Sequence, residues 1–382
     1  MSGIEGAQTP AGSRDDSGAG GRSTRMPRSD GGPQVPRARP TSYYGLPVLN
    51  GPVWTWEVPV YFFAGGMAGA SAPLALAASL RGEDRLARAA SIVALAGVAV
   101  SPPLLVADLG RPSRFLNMLR MFKVTSPMSV GAWILTAFAP AVVAGAAREL
   151  LGVLPAVGRA GQWSGAVLGP ALSTYTGALL ANTSVPAWHE ARRELPFVFA
   201  GSSLASAGSA ASLLAGPADG APARRMAVGG ALLSLAATAT MERRLGALAA
   251  PYRDGSAAAP ARAAKALIGA GALAMAAGSV APPRARGAPD RRRRAAPSRA
   301  LVGGGGATAS RGLRRRRDAV CRRVLVGARE TPAPLRALHA AAAVALLGGA
   351  ALERWAIFKA GSDSAADPAA TIGPQRARAD GA

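Results

Sequence analysis

The chain has 382 residues, of which 49% are hydrophobic, 17% are charged and 5% are aromatic, and its formal net charge is +23. This balance is typical of a polytopic membrane protein and argues against a soluble domain of the same length. The charge does not indicate nucleic-acid binding. About half of the excess lies in residues 284–330, which hold 15 Arg, three acidic residues and no aromatic side chain that could stack on bases.

Metal-ligating side chains are scarce. The chain has one cysteine, Cys321, and two histidines, His189 and His339. An iron–sulfur cluster is held by four thiolates, and paired haems need more histidines than these. We therefore expect no haem and no iron–sulfur cluster in this chain. Electrons would have to pass through a diffusible cofactor and the centres of a partner.

Apolar stretches of the length that a bilayer core of ~30 Å requires recur eight times. The predicted spans are approximately Val58–Leu80, Ala89–Ala107, Ser129–Ala147, Gly165–Asn182, Leu195–Gly216, Met226–Met241, Ala263–Ala281 and Leu335–Phe358. The sixth is short, and the seventh is rich in Ala and Gly rather than Leu. The sequence thus predicts an all-α fold, a polytopic integral membrane bundle of about eight transmembrane helices.

Composition divides the chain into five segments. These are a disordered tail (1–42), a transmembrane domain with seven helices (43–281), an Arg/Gly-rich low-complexity segment (282–334), the last transmembrane helix (335–360) and a C-terminal tail (361–382). The low-complexity segment is either an out-of-frame stretch or a disordered insertion. In both cases we expect no packed structure in it, because burying so many Arg side chains in hydrocarbon is very unfavourable.

Eight spans place every second loop on the same side as both termini. The loops on that side contain the most distinctive sequence: Trp54–Glu57, Asp108–Ser129, Asn182–Glu190 and Glu242–Lys265. The loops on the other side are plain linkers. We call the first side the motif face, and its sequence indicates that it binds a partner.

A polar pocket is predicted where the second span ends at the motif face. Pro102 and Pro103 free backbone carbonyls inside the span, which predicts a local break, and Asp108 follows. A carboxylate so close to hydrocarbon usually has a partner or a function. Asp108 is therefore either a proton acceptor or the ion-pair partner of Arg111 or Arg114.

Several motifs resemble the membrane subunit of the NrfD/polysulfide reductase family. Asp108–Pro112 resembles its D-L-G-R-P element, and Phe122–Ser129 resembles its F-K-x-x-S-P-M-S element. Tyr175–Trp188 is similar to Y-T-G-x-L-L-x-x-T-x-V-P-x-W. Glu353–Arg376 is similar to the family's ending, except that Ala370 stands where a Tyr is usual. The resemblance covers about residues 43–281 and 335–378.

The resemblance implies a multi-pass subunit of the cell membrane, without a redox metal of its own and not catalytic alone. It would exchange electrons between quinone, menaquinone above all, and an iron–sulfur subunit that is linked to a molybdopterin oxidoreductase of polysulfide, nitrite-pathway or formate type. Asp108 and Tyr175 are the candidates for proton transfer to the quinone. The candidate quinone-binding residues are Trp56, Glu57, Arg111, Tyr175, Thr176, Asn182 and His189.

Two other functions are compatible with the sequence. An eight-helix transporter or channel would explain the intramembrane prolines and Asp108 without electron transfer. A pure membrane anchor for a soluble oxidoreductase would explain the motif face and would leave Tyr175 and Asp108 dispensable.

Overall fold

The computed structural model describes residues 48–52, 54–108, 113, 115–278 and 332–380, and over these ranges it contains helices and loops but no strand. The helices are α1 (Glu57–Leu80), α2 (Asp84–Asp108), α3 (Phe115–Met118), α4 (Pro127–Ala146), α5 (Pro155–Ala181), α6 (Pro186–Glu190), α7 (Leu195–Asp219), α8 (Ala221–Leu245), α9 (Ala250–Arg253), α10 (Ala258–Ala277), α11 (Ala333–Ala366) and α12 (Pro368–Asp380). A π-helix, Ala147–Leu151, follows α4, and a 3₁₀ turn, Gly246–Ala249, follows α8. The all-α prediction is confirmed.

Over the described residues, each of the eight predicted spans coincides largely with a long helix. Among the described residues, α1, α2, α4 with its π-helix, α7 and α11 are long and apolar enough to cross a membrane. The other three, α5, α8 and α10, have 27, 25 and 20 residues. Each of these packs along one of the five: α5 along α1 and α4, α8 along α7, and α10 along α11. The chain is therefore a polytopic helix bundle.

Close approach of backbones holds α1 in the centre of the bundle. A Cβ atom built on Gly69 of α1 would meet the backbone of Gly169 of α5, and one built on Gly97 of α2 would lie 2.6 Å from the Ala64 carbonyl of α1. Ser173 donates a hydrogen bond from its hydroxyl to the Gly66 carbonyl at 3.0 Å. Small residues allow helices to associate closely in lipid, where a hydrophobic driving force between them is absent. The glycines of these spans thus serve packing.

The local break predicted at Pro102 and Pro103 does not occur. The α2 helix runs unbroken from Asp84 to Asp108, with both prolines inside it. The prolines remove the N–H donors to the carbonyls of Val98 and Ala99, and the Ser101 hydroxyl donates to the neighbouring Gly97 carbonyl at 2.7 Å. Membrane helices tolerate proline when neighbouring groups and small local adjustments compensate for the lost backbone hydrogen bonds. Asp108 is consequently the last residue of a continuous helix.

The C-terminal boundary also differs from the prediction. The last long helix continues beyond Phe358 to Ala366, and residues that were assigned to a tail form α12. The Ser364 hydroxyl donates to the Gly361 carbonyl at 2.9 Å, and the backbone N–H of Ala187 in α6 donates to the same hydroxyl. Contact with α6 therefore extends this helix. The predicted N-terminal tail and nearly all of the low-complexity segment lie outside the described residues.

Candidate functional site

An apolar cavity of about 40 Å³ lies at the motif face, where α1 begins, α2 ends, α4 begins and α5 ends, with α3 beside it. The residues that line it are Trp54, Val58, Tyr61, Phe62, Leu105, Asp108, Met118, Met128, Ala132, Tyr175 and Leu179. Oxygen atoms on this lining come from two phenols and one carboxylate. We call it the motif-face cavity.

The structure brings the two candidates for proton transfer to the lining of the same cavity. Asp108 enters from the last turn of α2, and Tyr175 enters from α5. Both side chains are partly buried. A carboxylate and a phenol that face one apolar space can bind the two ends of a small polar ring, or pass a proton to it.

Within the described part of the chain, the charged side chain that acts on Asp108 is a second carboxylate, that of Glu57 in the first turn of α1. None of the ion pairs among the described residues includes Asp108. Arg111 and Arg114, its predicted ion-pair partners, lie outside the described residues. The choice between proton acceptor and ion-pair partner therefore stays a prediction.

Tyr175 owes its position to a glycine on the neighbouring helix. A Cβ atom built on Gly131 of α4 would overlap the Tyr175 ring, with atoms Cε2, Cδ2 and Cζ all in collision. No other residue would leave room for the ring there. Just before it, Pro127 begins α4 at an N-cap, Ser126, whose hydroxyl accepts from the Ser129 N–H. The S-P-M-S element thus starts the helix that holds Tyr175 in place.

Tyr61 is a cavity residue that the sequence analysis missed. Its side chain is 3% exposed, and its hydroxyl has no hydrogen-bond partner among the described residues. A buried polar group without a partner is unfavourable, so it often marks a place where a ligand or water binds. A tyrosine inside an otherwise apolar span, one turn after Glu57, is a signal that the sequence contained.

Two predicted quinone-binding residues at the start of α1, Trp56 and Glu57, do not line the cavity. Trp56 immediately precedes the helix and is 56% exposed. Glu57 accepts a hydrogen bond from the Thr55 hydroxyl. The residue that lines the cavity in this region is Trp54, whose ring stacks on Trp188 with 5.8 Å between centroids.

The predicted binding residues at the end of α5 also lie outside the cavity lining. Thr176 is buried, and its hydroxyl has no partner among the described residues. Asn182 is the exposed C-cap of α5. His189 is exposed as well, with its Nδ1 atom 3.2 Å from the Ala181 carbonyl. Their role in binding stays a prediction.

The motif that ends in Trp188 makes contact with the C-terminal motif. Trp188 is fully buried, and its Nε1–H donates to the Ile357 carbonyl of α11 at 2.8 Å. A Cβ atom on Gly361 would overlap the indole ring. Trp188 therefore packs against a glycine of α11. The Tyr175–Trp188 motif and the C-terminal motif, which are distant in the chain, are in contact at the motif face.

We expect the purified chain to show no haem Soret absorption and no stoichiometric iron, because it has one cysteine and two histidines. The two histidines lie on α6 and α11, and each has a ring nitrogen close to a backbone carbonyl, that of Ala181 or that of Ser212. Optical spectra and metal analysis of the isolated protein provide the test. Iron at one or more atoms per chain would contradict the expectation.

A helix bundle in which five helices are long and apolar enough to cross a bilayer indicates a polytopic membrane protein. Residues 47–225 match the family model described as polysulphide reductase, NrfD. Over these residues the chain is similar to that family, which confirms the resemblance. The range includes the whole motif-face cavity and ends in α8. Comparison with curated proteins gives no match.

Proposed function

We propose that this chain is the membrane subunit of a respiratory oxidoreductase complex in the plasma membrane, where it exchanges electrons between the quinone pool and an iron–sulfur subunit linked to a molybdopterin enzyme. The observation that carries the proposal is the motif-face cavity, which places Tyr61, Asp108 and Tyr175 around one apolar space within the NrfD-like range. Membrane subunits of this family belong to quinone-linked complexes, which supports the quinone as its ligand.

The lining suits a quinone in chemical terms. The ring and its tail would contact Trp54, Val58 and Phe62, while the phenols of Tyr61 and Tyr175 donate hydrogen bonds to carbonyl oxygens. Conversion of quinone to quinol adds two electrons and two protons. Asp108 is the group that binds and releases a proton beside the ring, and the electrons pass to or from the partner's centres across the motif face.

The cavity must widen to hold a quinone ring, since about 40 Å³ is smaller than the ring itself. Met118 of α3 and Met128 of α4 form part of its wall. Methionine is unbranched and flexible, so these side chains can move aside at little cost. A site closed by methionines also excludes water when it is empty.

An exposed apolar patch beside the cavity supports partner binding at the motif face. Four large apolar side chains of α3 and of the loop that joins it to α4 are exposed: Leu116, Met121, Phe122 and Val124. Phe122 packs edge-on against Trp133, with 6.1 Å between ring centroids. Contiguous exposed apolar surface marks interaction sites in proteins. We propose that the iron–sulfur subunit covers this patch and thereby approaches the cavity.

Tyr175→Phe is expected to weaken binding of a short-chain menaquinone about 2- to 13-fold, the effect of one lost hydrogen bond worth ~0.5–1.5 kcal/mol. Gly131→Ala should weaken binding further, because the added methyl overlaps the Tyr175 ring. Quenching of tryptophan fluorescence in the purified full-length protein measures binding, since Trp54 lines the cavity.

Gly229→Ala is the matched control, because a Cβ atom at this helical glycine of α8 meets nothing within 4 Å. Its quinone affinity should equal that of the wild type. Wild-type affinity in both cavity variants, or no quinone binding by any of the proteins, would contradict the proposed site and favour a pure membrane anchor.

A further inference from the structure

The interior of the bundle contains a charged pair that the proposed quinone site does not use. Glu353 and Arg354 are consecutive residues of α11, inside a helix that is able to cross a membrane, and they are 6% and 1% exposed. Ionisable side chains inside membrane helices are rare and energetically costly, and they usually mark ion or proton pathways.

The two side chains point to different neighbours. Glu353 accepts hydrogen bonds through Oε1 from the Ser234 hydroxyl at 2.6 Å and the Thr238 hydroxyl at 3.2 Å, both on α8. Arg354 donates through Nη2 to the Phe199 carbonyl and the Ser203 hydroxyl of α7, and its guanidinium stacks 3.6 Å above the Phe199 ring. No direct hydrogen bond joins the carboxylate to the guanidinium among the described contacts.

Half of the Glu353 carboxyl has no protein partner. Its Oε2 atom is buried and accepts no hydrogen bond from the described residues, although the Ser202 hydroxyl, itself buried and without a partner among them, lies close enough to act on this carboxyl. A structural ion pair would have its lone pairs occupied, because each unsatisfied charged atom in a low-dielectric interior is unfavourable. The carboxyl thus has a place for a proton.

A second cavity, of about 20 Å³, connects Glu353 to the motif face. Tyr252 of α9, Glu242 of α8 and Lys265 of α10 line it together with Glu353. This volume is sufficient for one water molecule. Tyr252 is buried with its hydroxyl unpartnered among the described residues, while Lys265 and Glu242 form an ion pair with 2.6 Å between Nζ and Oε1. The Lys265 side chain is the most exposed of these, so the cavity lies nearest to the molecular surface there.

We propose that Glu353 is a proton-binding site inside the bundle, loaded from the motif face through Tyr252 and the mouth formed by Glu242 and Lys265. One proton from bulk water on that side forms an O–H bond on Oε2 and later returns to water, and no electron moves in this step. Burial and the carboxylates of Glu242 and Glu353 raise the pKa of Tyr252, so its phenol stays protonated and can relay a proton.

Protonation of Glu353 changes the charge balance around Arg354, which becomes an uncompensated cation. The charged or titratable groups around Glu353 are Arg354 on its own helix, Glu242, Tyr252 and Lys265, and the hydroxyls come from Ser234 and Thr238 of α8 and Ser202 of α7. Arg354 in turn stacks on Phe199, whose ring packs edge-on against Phe62 of the motif-face cavity at 5.8 Å. One layer of side chains therefore separates this site from the motif-face cavity.

Infrared difference spectra of the full-length protein, recorded as pH is varied, test the proposal without quinone or partner. In the wild type, lowering the pH should produce, beside the C=O bands of the exposed carboxylic acids, a separate C=O band at higher frequency from a buried protonated carboxylic acid, shifted in D₂O. The band should be absent in Glu353→Gln and displaced in Glu353→Asp. After a pH jump, it should form several-fold more slowly in Tyr252→Phe and Lys265→Gln than in the wild type or in the control Tyr175→Phe.

A wild type without any such band would overturn the proposal, as would a band that persists in Glu353→Gln. If Glu353→Gln does not fold, the wild-type band and its rate in Tyr252→Phe still decide the question: an unchanged rate contradicts the proposed path. Failure of this test leaves the quinone proposal standing, because quinone binding at Tyr175 is measured separately.

Discussion

Asp108→Asn is expected to lower quinol-dependent turnover of the assembled complex about 100-fold or more while the protein still inserts and assembles. General acid–base groups contribute about 10²–10⁴-fold to the reactions they serve, and an amide neither binds nor releases a proton in the physiological range. The substitution preserves the shape of the side chain and leaves α2 continuous, since Asp108 is its last residue. The loss should therefore fall on turnover rather than on the amount of complex.

Asp84→Asn is the matched control for this variant. Asp84 begins the same helix at the opposite end and is exposed, so the same change there should leave turnover unaffected. Membranes that contain each variant complex provide the assay, with the complex quantified on the same samples. Turnover of Asp108→Asn equal to that of Asp84→Asn would remove Asp108 from the proton-transfer role and assign it to ion pairing.

Gly361→Ala is expected to destabilise the protein by about 1–3 kcal/mol, the usual cost of forcing an extra methyl group into a packed interior. The methyl would overlap the indole ring of Trp188, which is fully buried and cannot turn away without breaking its hydrogen bond to the Ile357 carbonyl. The stacked pair of Trp54 and Trp188 would move with it. A disturbed cavity wall should then weaken quinone binding too.

Gly348→Ala in the same helix separates this collision from the ordinary effect of alanine. A Cβ atom at Gly348 has only one neighbour, Leu267 Cδ1 at 3.9 Å, which is normal contact. Replacing glycine inside a helix by alanine then stabilises the helix by about 0.5–1 kcal/mol. Thermal unfolding in detergent should give a lower midpoint for Gly361→Ala and an equal or higher one for Gly348→Ala. Equal midpoints would show that Trp188 does not depend on Gly361.

The helices could be predicted from the sequence because each contains a long apolar run. The α5 helix starts at Pro155, before the predicted span at Gly165, because its first turns carry polar residues such as Arg159 and Gln162 that interrupt the apolar run. The continuation of α11 to Ala366 could not be predicted. It depends on the contact between Ser364 and Ala187, which are distant in the chain. In the sequence, polar residues that follow an apolar span look like an unstructured C-terminal tail, because the residues that they contact in the fold are not known.

The site was predictable only in part. Asp108 and Tyr175 stand out because they are polar residues in motifs at span ends, and the structure places both on one cavity. Tyr61 and Glu353 lie inside predicted spans, and their polar side chains were a signal in themselves. The contacts of Gly131 with Tyr175 and of Gly361 with Trp188 could not be predicted from the sequence, because a glycine does not indicate which ring occupies the space beside it.

The most direct test of the proposed function is photo-cross-linking of a quinone to the full-length protein in native membranes. A short-chain menaquinone with a photoreactive group should label residues 54–62, 105–108, 118–132 and 175–179, the described segments around the motif-face cavity, and excess unlabelled quinone should abolish the labelling. Labelling that maps only to other helices, or that unlabelled quinone does not displace, would contradict quinone binding at this cavity.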